Sequence, residues 1–259
     1  MKSAALNPAR QRSLVGGVAH AAPGAISALA VTGGITVAPE PGLTIRFGRN
    51  RPEVEVCVGE DDLLISRQHG LLDHRLGQWW VSNTGRSPIR LASSLLLHRE
   101  GDPIPLAVGY TPLFLRGSRG REHLLELYVA GEEGGKPPSR PGDITQPPRR
   151  WRLTVEEHLA LVVLGQRYLL HDPHPQPLSR QQAATELAEL RPTAKWTTKR
   201  VEHLVAEVRA RLSAGGVFGL RRDEVGEPVG LTLTVNLLRE LVSSTTLVPT
   251  DLNLLDGPH

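Results

Sequence analysis

The sequence predicts two domains, an all-β sandwich followed by an α+β domain of three helices and a β-hairpin. Three observations carry this reading. Up to residue 130, short runs rich in β-branched and aromatic residues ("LTIRF", "VEVCV", "QWWVS", "PLFLR", "LLELYVA") are separated by Gly, Pro, Asp and Asn, the pattern of strands joined by turns. From residue 150 onward the apolar period lengthens from two to about 3.6. Between them, "GEEGGKPPSRPGDITQPPRR" holds five Pro and four Gly in twenty positions and no apolar pattern, so it reads as an extended tether.

The expected division is therefore a disordered leader at 1–25, the sandwich at 26–130, a linker at 131–149, the helical domain at 150–243 and a C-terminal tail at 244–259. A chain of 259 residues suffices for two domains with cores of their own. The leader carries Lys2, Arg10 and Arg12, but "SLVGGVAHAAPGAISALAV" is broken by Gly, His and Pro and does not form the apolar run of a signal peptide. No stretch has the eighteen or so apolar residues of a membrane span, and Cys57 alone can build neither a disulfide framework nor a Cys-rich zinc site. A cytoplasmic protein with no membrane partner and no cofactor is expected. The net charge of +3 confines any polyanion-binding surface to a local patch.

The helical domain is read element by element. In "LTVEEHLALVVLGQRYLL", Val155, Leu159, Val162 and Val163 form a stripe, and Thr154 with Glu157 makes a capping box in which each side chain satisfies a free donor at the helix start. Ser179 and Gln182 repeat the device in "LSRQQAATELAEL". In "TTKRVEHLVAEVRARL", Val201, Leu204, Val205, Val208 and Leu212 define a third amphipathic helix, ended by Gly215 and Gly216. "VFGLRR" and "VGLTLTVN" flank the turn-rich "DEVGEP", and Leu231, Leu233 and Val235 alternate with other residues as a half-buried strand would. Three helices and a hairpin make a winged helix-turn-helix.

Candidate chemistry concentrates in "LLISRQHGLL". A Ser66 nucleophile with His69 as its base would need an orienting third group and an oxyanion hole, commonly on a Gly-flanked elbow, and no G-x-S-x-G occurs. The chain is expected not to be an enzyme. Arg49 in "FGRN" with Ser66 and Arg67 in "SRQH" supplies guanidinium forks and a small hydroxyl, the groups that suit a dianionic phosphate if the sandwich brings their loops together. His171 and His174 in "HDPHP" are spaced for two metal ligands, but the flanking prolines and the lack of further ligands favour a loop, and no metal site is expected.

The order "FGR", sixteen residues, "SRQHG", "QWWVSNTG" and "YTPLFLRG" resembles a forkhead-associated (FHA) domain, a β-sandwich that binds phosphothreonine peptides through loops at one end. The resemblance implies that Gly48 shapes the first loop, that Arg49 and Ser66 grip the phosphate with help from Arg67, and that His69 is a structural pin. The family's Ser-x-Asn-Gly-Thr run is replaced here by "NTGRSPIRL", so Asn83, Thr84, Arg86 and Ser87 are the peptide-contact candidates. Residues 150–236 resemble the winged-helix output domain of bacterial response regulators, although the glycine-tyrosine near the wing tip is absent and "LLHDPHPQP" is a long connection. That likeness implies a third helix in the DNA major groove. Residues 191–222 carry eight basic residues against two acidic ones, which agrees with phosphate contacts there. Lys195, Thr197, Lys199, Arg200, His203, Arg221 and Arg222 are the expected DNA-binding residues. The functional expectation is a phosphothreonine-dependent bacterial regulator acting downstream of a Ser/Thr kinase, with double-stranded DNA as a second partner. The alternative is an adaptor whose winged helix binds protein.

Overall fold

A computed structural model describes residues 3–6, 13–18, 21–91, 95–131, 149–227 and 229–256, arranged in two compact units divided at Pro148 and Arg149. The expected linker falls on residues outside the described ones, apart from Gly131 and Arg149.

The first unit is a sandwich of two sheets. Its strands are β1 (Ser3–Leu6), β2 (Ile26–Ala30), β3 (Gly33–Val37), β4 (Thr44–Gly48), β5 (Val56–Cys57), β6 (Gly70–Arg75), β7 (Gln78–Asn83), β8 (Ile89–Leu91), β9 (Leu96–Leu97), β10 (Ile104–Pro105), β11 (Gly109–Arg116) and β12 (Glu122–Val129). One sheet has the order β1-β3-β2-β12-β11-β8-β9 and the other β10-β7-β6-β4-β5. Every pairing is antiparallel except β4 with β5, where Phe47 lies opposite Val56. Alternation along each strand sends one set of side chains inward. Ile45, Phe47, Leu72, Trp79 and Val81 from one sheet thus share a core with Ile26, Ala28, Leu113, Leu115, Leu125 and Leu127 from the other. The two neighbouring tryptophans separate as strand geometry requires: Trp79 is buried and donates through Nε1 to Gly24 O at 2.9 Å, while Trp80 faces outward under the Arg75 guanidinium.

The expected disordered leader is in part structured. β1 adds to the edge of the larger sheet, with Ser3 opposite Val37. Leu14, fully buried, covers the outer face of that sheet against Leu29, Tyr110 and Tyr128, and Ser13 Oγ donates to Glu126. Two tyrosines and a leucine on the outer face would otherwise meet water, and closing Leu14 over them offsets the entropy of ordering the segment.

The second unit is helical: α1 (Val155–Leu169), α2 (Arg180–Leu190), α3 (Thr198–Ala214) and α4 (Val229–Ser243). Both expected capping boxes are formed, Thr154 with Glu157 and Ser179 with Gln182. Helix α1 is buried from Leu159 to Gly165 without a polar face, because other elements surround it. Val155, expected on its buried stripe, is instead 87 % exposed at the first turn.

The expected wing is not there, and among the described residues this unit contains no strand. "VGLTLTVN" opens α4, in which Leu233, Thr234, Leu237, Leu238 and Leu241 are buried at helical spacing, and "VFGLRR" runs into a short 3-10 turn, Arg222–Glu224. The alternation of Leu231, Leu233 and Val235 is local; packing of the longer stripe against α1 overrides it. A Cβ on Gly165 would come within 2.9 Å of Leu238 Cδ2, so glycine in α1 is what permits this approach. The expected tail is also part of the core. Ser244, Thr245, Thr246, Leu247 and Val248 are buried, and Trp151 N–H donates to Thr246 Oγ1 at 2.9 Å.

Candidate functional site

Three loops meet at one end of the sandwich: the segment leaving β4, the segment entering β6, and the β7–β8 connection. Backbone bonds fix their spacing. Arg49 N–H donates to Ser66 O at 3.1 Å, Asn50 N–H to Arg67 O at 3.2 Å, and His69 N–H to Phe47 O at 2.8 Å. Gly48 is needed for this approach, since a Cβ there would lie 2.4 Å from Arg67 O and 2.8 Å from Ser66 O. Gly48→Ala is expected to push the two loops apart, costing roughly 1–3 kcal/mol of stability as overpacking does. Denaturant titration would register the loss.

His69 is fully buried beneath these loops. Its Nδ1 accepts from Ser66 N–H at 3.1 Å, which leaves Nε2 protonated and donating to Ser87 O at 3.0 Å. Its backbone carbonyl accepts from both Thr84 N–H and Gly85 N–H. One residue therefore ties all three loops. Burial pushes the imidazole below its ordinary value near 6.5, with the bond to Ser87 opposing in part. The neutral ring is the folded form, so its contribution to stability is full above pH 6.5 and declines as pH falls through the folded value, where the unfolded chain binds the proton more readily. His69→Ala is expected to lower the melting temperature at pH 7.5, at a cost of about 1–3 kcal/mol for the unpaired partners. It should also shrink the loss of stability between pH 7.5 and pH 5.5; an unchanged melting temperature would contradict the pinning role. No bond joins the imidazole to Ser66 Oγ, so the nucleophile–base arrangement is not formed. That oxygen instead accepts from Arg86 N–H at 3.1 Å, leaving its own proton to donate outward.

Asn83 requires a correction. Expected to reach a peptide, it is 4 % exposed, and its Nδ2 donates to Ser87 O and Leu97 O, both at 2.9 Å, while Oδ1 accepts from Gly85 N–H at 2.8 Å. It shapes the β7–β8 loop from inside. Thr84, Arg67 and Arg86 are exposed around the site, and Arg49, Ser66 and Ser87 are half-buried within it.

The electrostatics single out three of these residues. Arg46, Arg51, Arg90 and Arg121 are each paired with a carboxylate. Among the described residues, Arg49, Arg67 and Arg86 make no ion pair, and Arg49 Nε is withdrawn from water without a hydrogen-bond partner. Unmatched guanidinium donors beside a free hydroxyl form a setting in which a phosphate dianion would be held by charge-assisted bonds.

The support of this site is not legible in the sequence. Asp62, fully buried in the loop that leads to Ser66, accepts from Leu64 N–H and Ser118 N–H and lies 3.0 Å from both His123 Nε2 and Arg121 Nε. A pair of aspartates before two leucines carries no periodic signal, and its partners are some sixty residues away.

No family model and no curated protein matches the chain. Among solved structures, the chain is similar to an engineered FHA domain solved with a Myc-pTBD peptide, at 16 % identity over 40 % of this chain and 91 % of that one, with a TM-score of 0.35. It is similar to FHA-1 of Mycobacterium tuberculosis Rv1747, at 19 % identity over 42 % and 99 %, TM-score 0.33. It is also similar to the N-terminal FHA domain of Saccharomyces cerevisiae Rad53p in complex with a phosphothreonine peptide, at 14 % identity over 40 % and 93 %, TM-score 0.34.

Of the residues expected to meet DNA, Lys195, Thr197, Lys199 and His203 are exposed at the start of α3. Arg200 is engaged within the unit: it pairs with Glu156 at 2.8 Å, donates to Ala194 O and lies 4.4 Å over the Trp196 ring. Arg221 is held by Asp223 and Glu224, and Arg222 is exposed on the same turn, so neither sits on a wing. No helix among the described residues is long and apolar enough to cross a membrane.

Proposed function

We propose that this protein is a phosphothreonine-dependent signalling component whose sandwich reads a phosphorylated partner, either a Ser/Thr kinase or its substrate. The observation that carries the reading is that Arg49, Arg67 and Arg86, which make no ion pair among the described residues, stand with Ser66 on loops pinned together by His69. Arg49 and Ser66 grip the phosphate; Arg67, Arg86, Thr84 and Ser87 border the peptide. Binding of the full chain to matched phosphothreonine and unphosphorylated threonine peptides tests it, and equal affinity for both overturns it.

Downstream, the helical unit is read first as a DNA-binding element that makes the protein a transcriptional regulator. The exposed Lys195, Lys199 and His203 at one end of α3 support that reading, with the small Ala206 and Ala210 permitting close approach. The adaptor reading, in which this unit meets protein, is favoured by the internal commitment of Arg200 and Arg221. Affinity for duplex DNA across a salt series separates them, a steep slope marking phosphate contacts and a flat one the adaptor.

A further inference from the structure

Between β5 and Ser66 the chain makes two successive turns, closed by Asp62 N–H donating to Gly59 O at 2.9 Å and Ile65 N–H donating to Asp62 O at 3.1 Å. Asp62 and Ile65, the ends of the second turn, are fully buried. A Cβ on Gly59 would come within 2.9 Å of Ile65 Cγ1, and one on Gly117 within 2.2 Å of Asp62 Oδ2, so the base of the turn is packed without spare room. With both ends held inside, the two middle residues face water: Leu63 is 82 % exposed and Leu64 53 %. Turn positions ordinarily take Gly, Pro, Asn, Asp or Ser, whereas here two adjacent leucines leave more than half of each side chain uncovered. The neighbouring carboxylates are all engaged. Glu60 pairs at 2.8 Å with Arg51 in the segment leaving β4, Asp61 with Arg121 at 2.7 Å, and Asp62 with Arg121 and His123, both at 3.0 Å. The Arg51 pair ties the turn to the loop that carries Arg49, and each acidic charge faces a basic group, which lessens its repulsion of a phosphate held at Ser66.

We infer that Leu63 and Leu64 form a side-chain subsite at the peptide-binding end of the sandwich, selecting a phosphothreonine peptide with a large aliphatic residue two or three positions from the phosphothreonine. The subsite rests on the phosphothreonine reading of Ser66 and names the class of peptide read there. Chain length sets its reach. Leu64 lies two residues and Leu63 three residues before Ser66, so their Cα atoms stand at most about 7 and 11 Å from that of Ser66. An extended peptide advances about 3.3 Å per residue, so this span covers two to three positions. The phosphopeptide itself is favoured over a separate partner because one continuous segment carries both the hydroxyl and the leucines. A turn already fixed at its base also loses little freedom when an apolar side chain settles on it.

Fluorescence anisotropy of the full chain tests the subsite with a phosphothreonine peptide built otherwise of alanine and glycine, in which leucine is placed at one position at a time from three before to three after the phosphothreonine. Leucine at one position two or three residues away is expected to raise affinity about tenfold, the order that burying much of a leucine side chain supplies. Leu63→Gln with Leu64→Gln should erase that preference, while affinity for the leucine-free phosphopeptide, discrimination against unphosphorylated threonine and the melting temperature all hold. Leu63→Met should keep most of it. Phosphothreonine selectivity with no leucine preference at any position, or a preference that survives the double variant, would overturn the subsite and leave the phosphothreonine reading standing. Equal affinity for phosphorylated and unphosphorylated peptides would remove both. A fall of several degrees in the melting temperature of the double variant would assign the leucines to the fold, and self-association of the wild type that the double variant loses would reassign them to a second copy of the chain; either result overturns the subsite.

Discussion

Arg49→Ala and Ser66→Ala are each expected to remove measurable binding of a phosphothreonine peptide while leaving the sandwich folded. A hydrogen bond to a charged group contributes roughly 1.5–3 kcal/mol, so losing one such contact to a dianion lowers affinity by about 10- to 150-fold. Stability should change little, because the Arg49 side chain makes no ion pair among the described residues and its Nε has no partner to lose. Ser66 Oγ accepts only from the exposed-side Arg86 N–H, which water can satisfy after truncation. Arg49→Lys is the sharper variant: it keeps the charge and loses the planar fork, so affinity between those of wild type and Ala marks bidentate recognition. Calorimetric titration against phosphorylated and unphosphorylated peptides, beside thermal melts, reads both quantities. A large fall in melting temperature with Arg49→Ala would assign that residue to the fold and not to a ligand.

The largest loss of stability is expected from Asp62→Ala. Burial by itself pushes this carboxyl up, but His123 and the backbone N–H groups of Leu64 and Ser118 outweigh it and hold the group at about 2, against 3.8 ordinarily. Truncation leaves the buried Arg121 with the exposed Asp61 as its remaining carboxylate, beside the Ser118 hydroxyl, and the buried His123 without the Asp62 carboxylate, the situation in which breaking a buried pair costs roughly 3–5 kcal/mol. The pH dependence follows from the depressed value. Asp62 contributes fully above pH 3.8, and its contribution is lost as pH falls toward 2, a loss of about 2 kcal/mol at 1.36 kcal/mol per pH unit. Asp62→Asn should flatten that part of the stability curve measured by denaturant titration. Since this loop leads directly to Ile65 and Ser66, phosphopeptide affinity should fall with stability. A variant that unfolds at the wild-type denaturant concentration would show that Asp62 is not the anchor of the loop.

By itself the sequence determined what local rules can carry. Strand alternation announced the sandwich, capping pairs placed the starts of α1 and α2, the apolar spacing of α3 and the glycines after it set that helix, and the triplet Arg49, Ser66, Arg67 fell on loops that meet at one end of the sandwich. Each of these signals acts within a few residues, where propensity and hydrogen-bond geometry are settled before any tertiary contact. What only the tertiary structure decided depends on partners far along the chain. "VGLTLTVN" became helix because α1 offered an apolar wall for Leu237, Leu238 and Leu241, beyond the window in which the alternation was read. Leu14 and the segment 244–248 gained order only by covering surfaces built elsewhere, and neither has a period of its own. Asn83 turned inward because Ser87 and Leu97 presented carbonyls that a buried amide must satisfy, whereas an asparagine in a polar loop reads as a surface contact. Charge followed the same division. Composition locates the basic excess, but pairing decides which guanidiniums remain available: Glu156 claims Arg200 across forty-four residues of chain, and Asp223 and Glu224 claim Arg221.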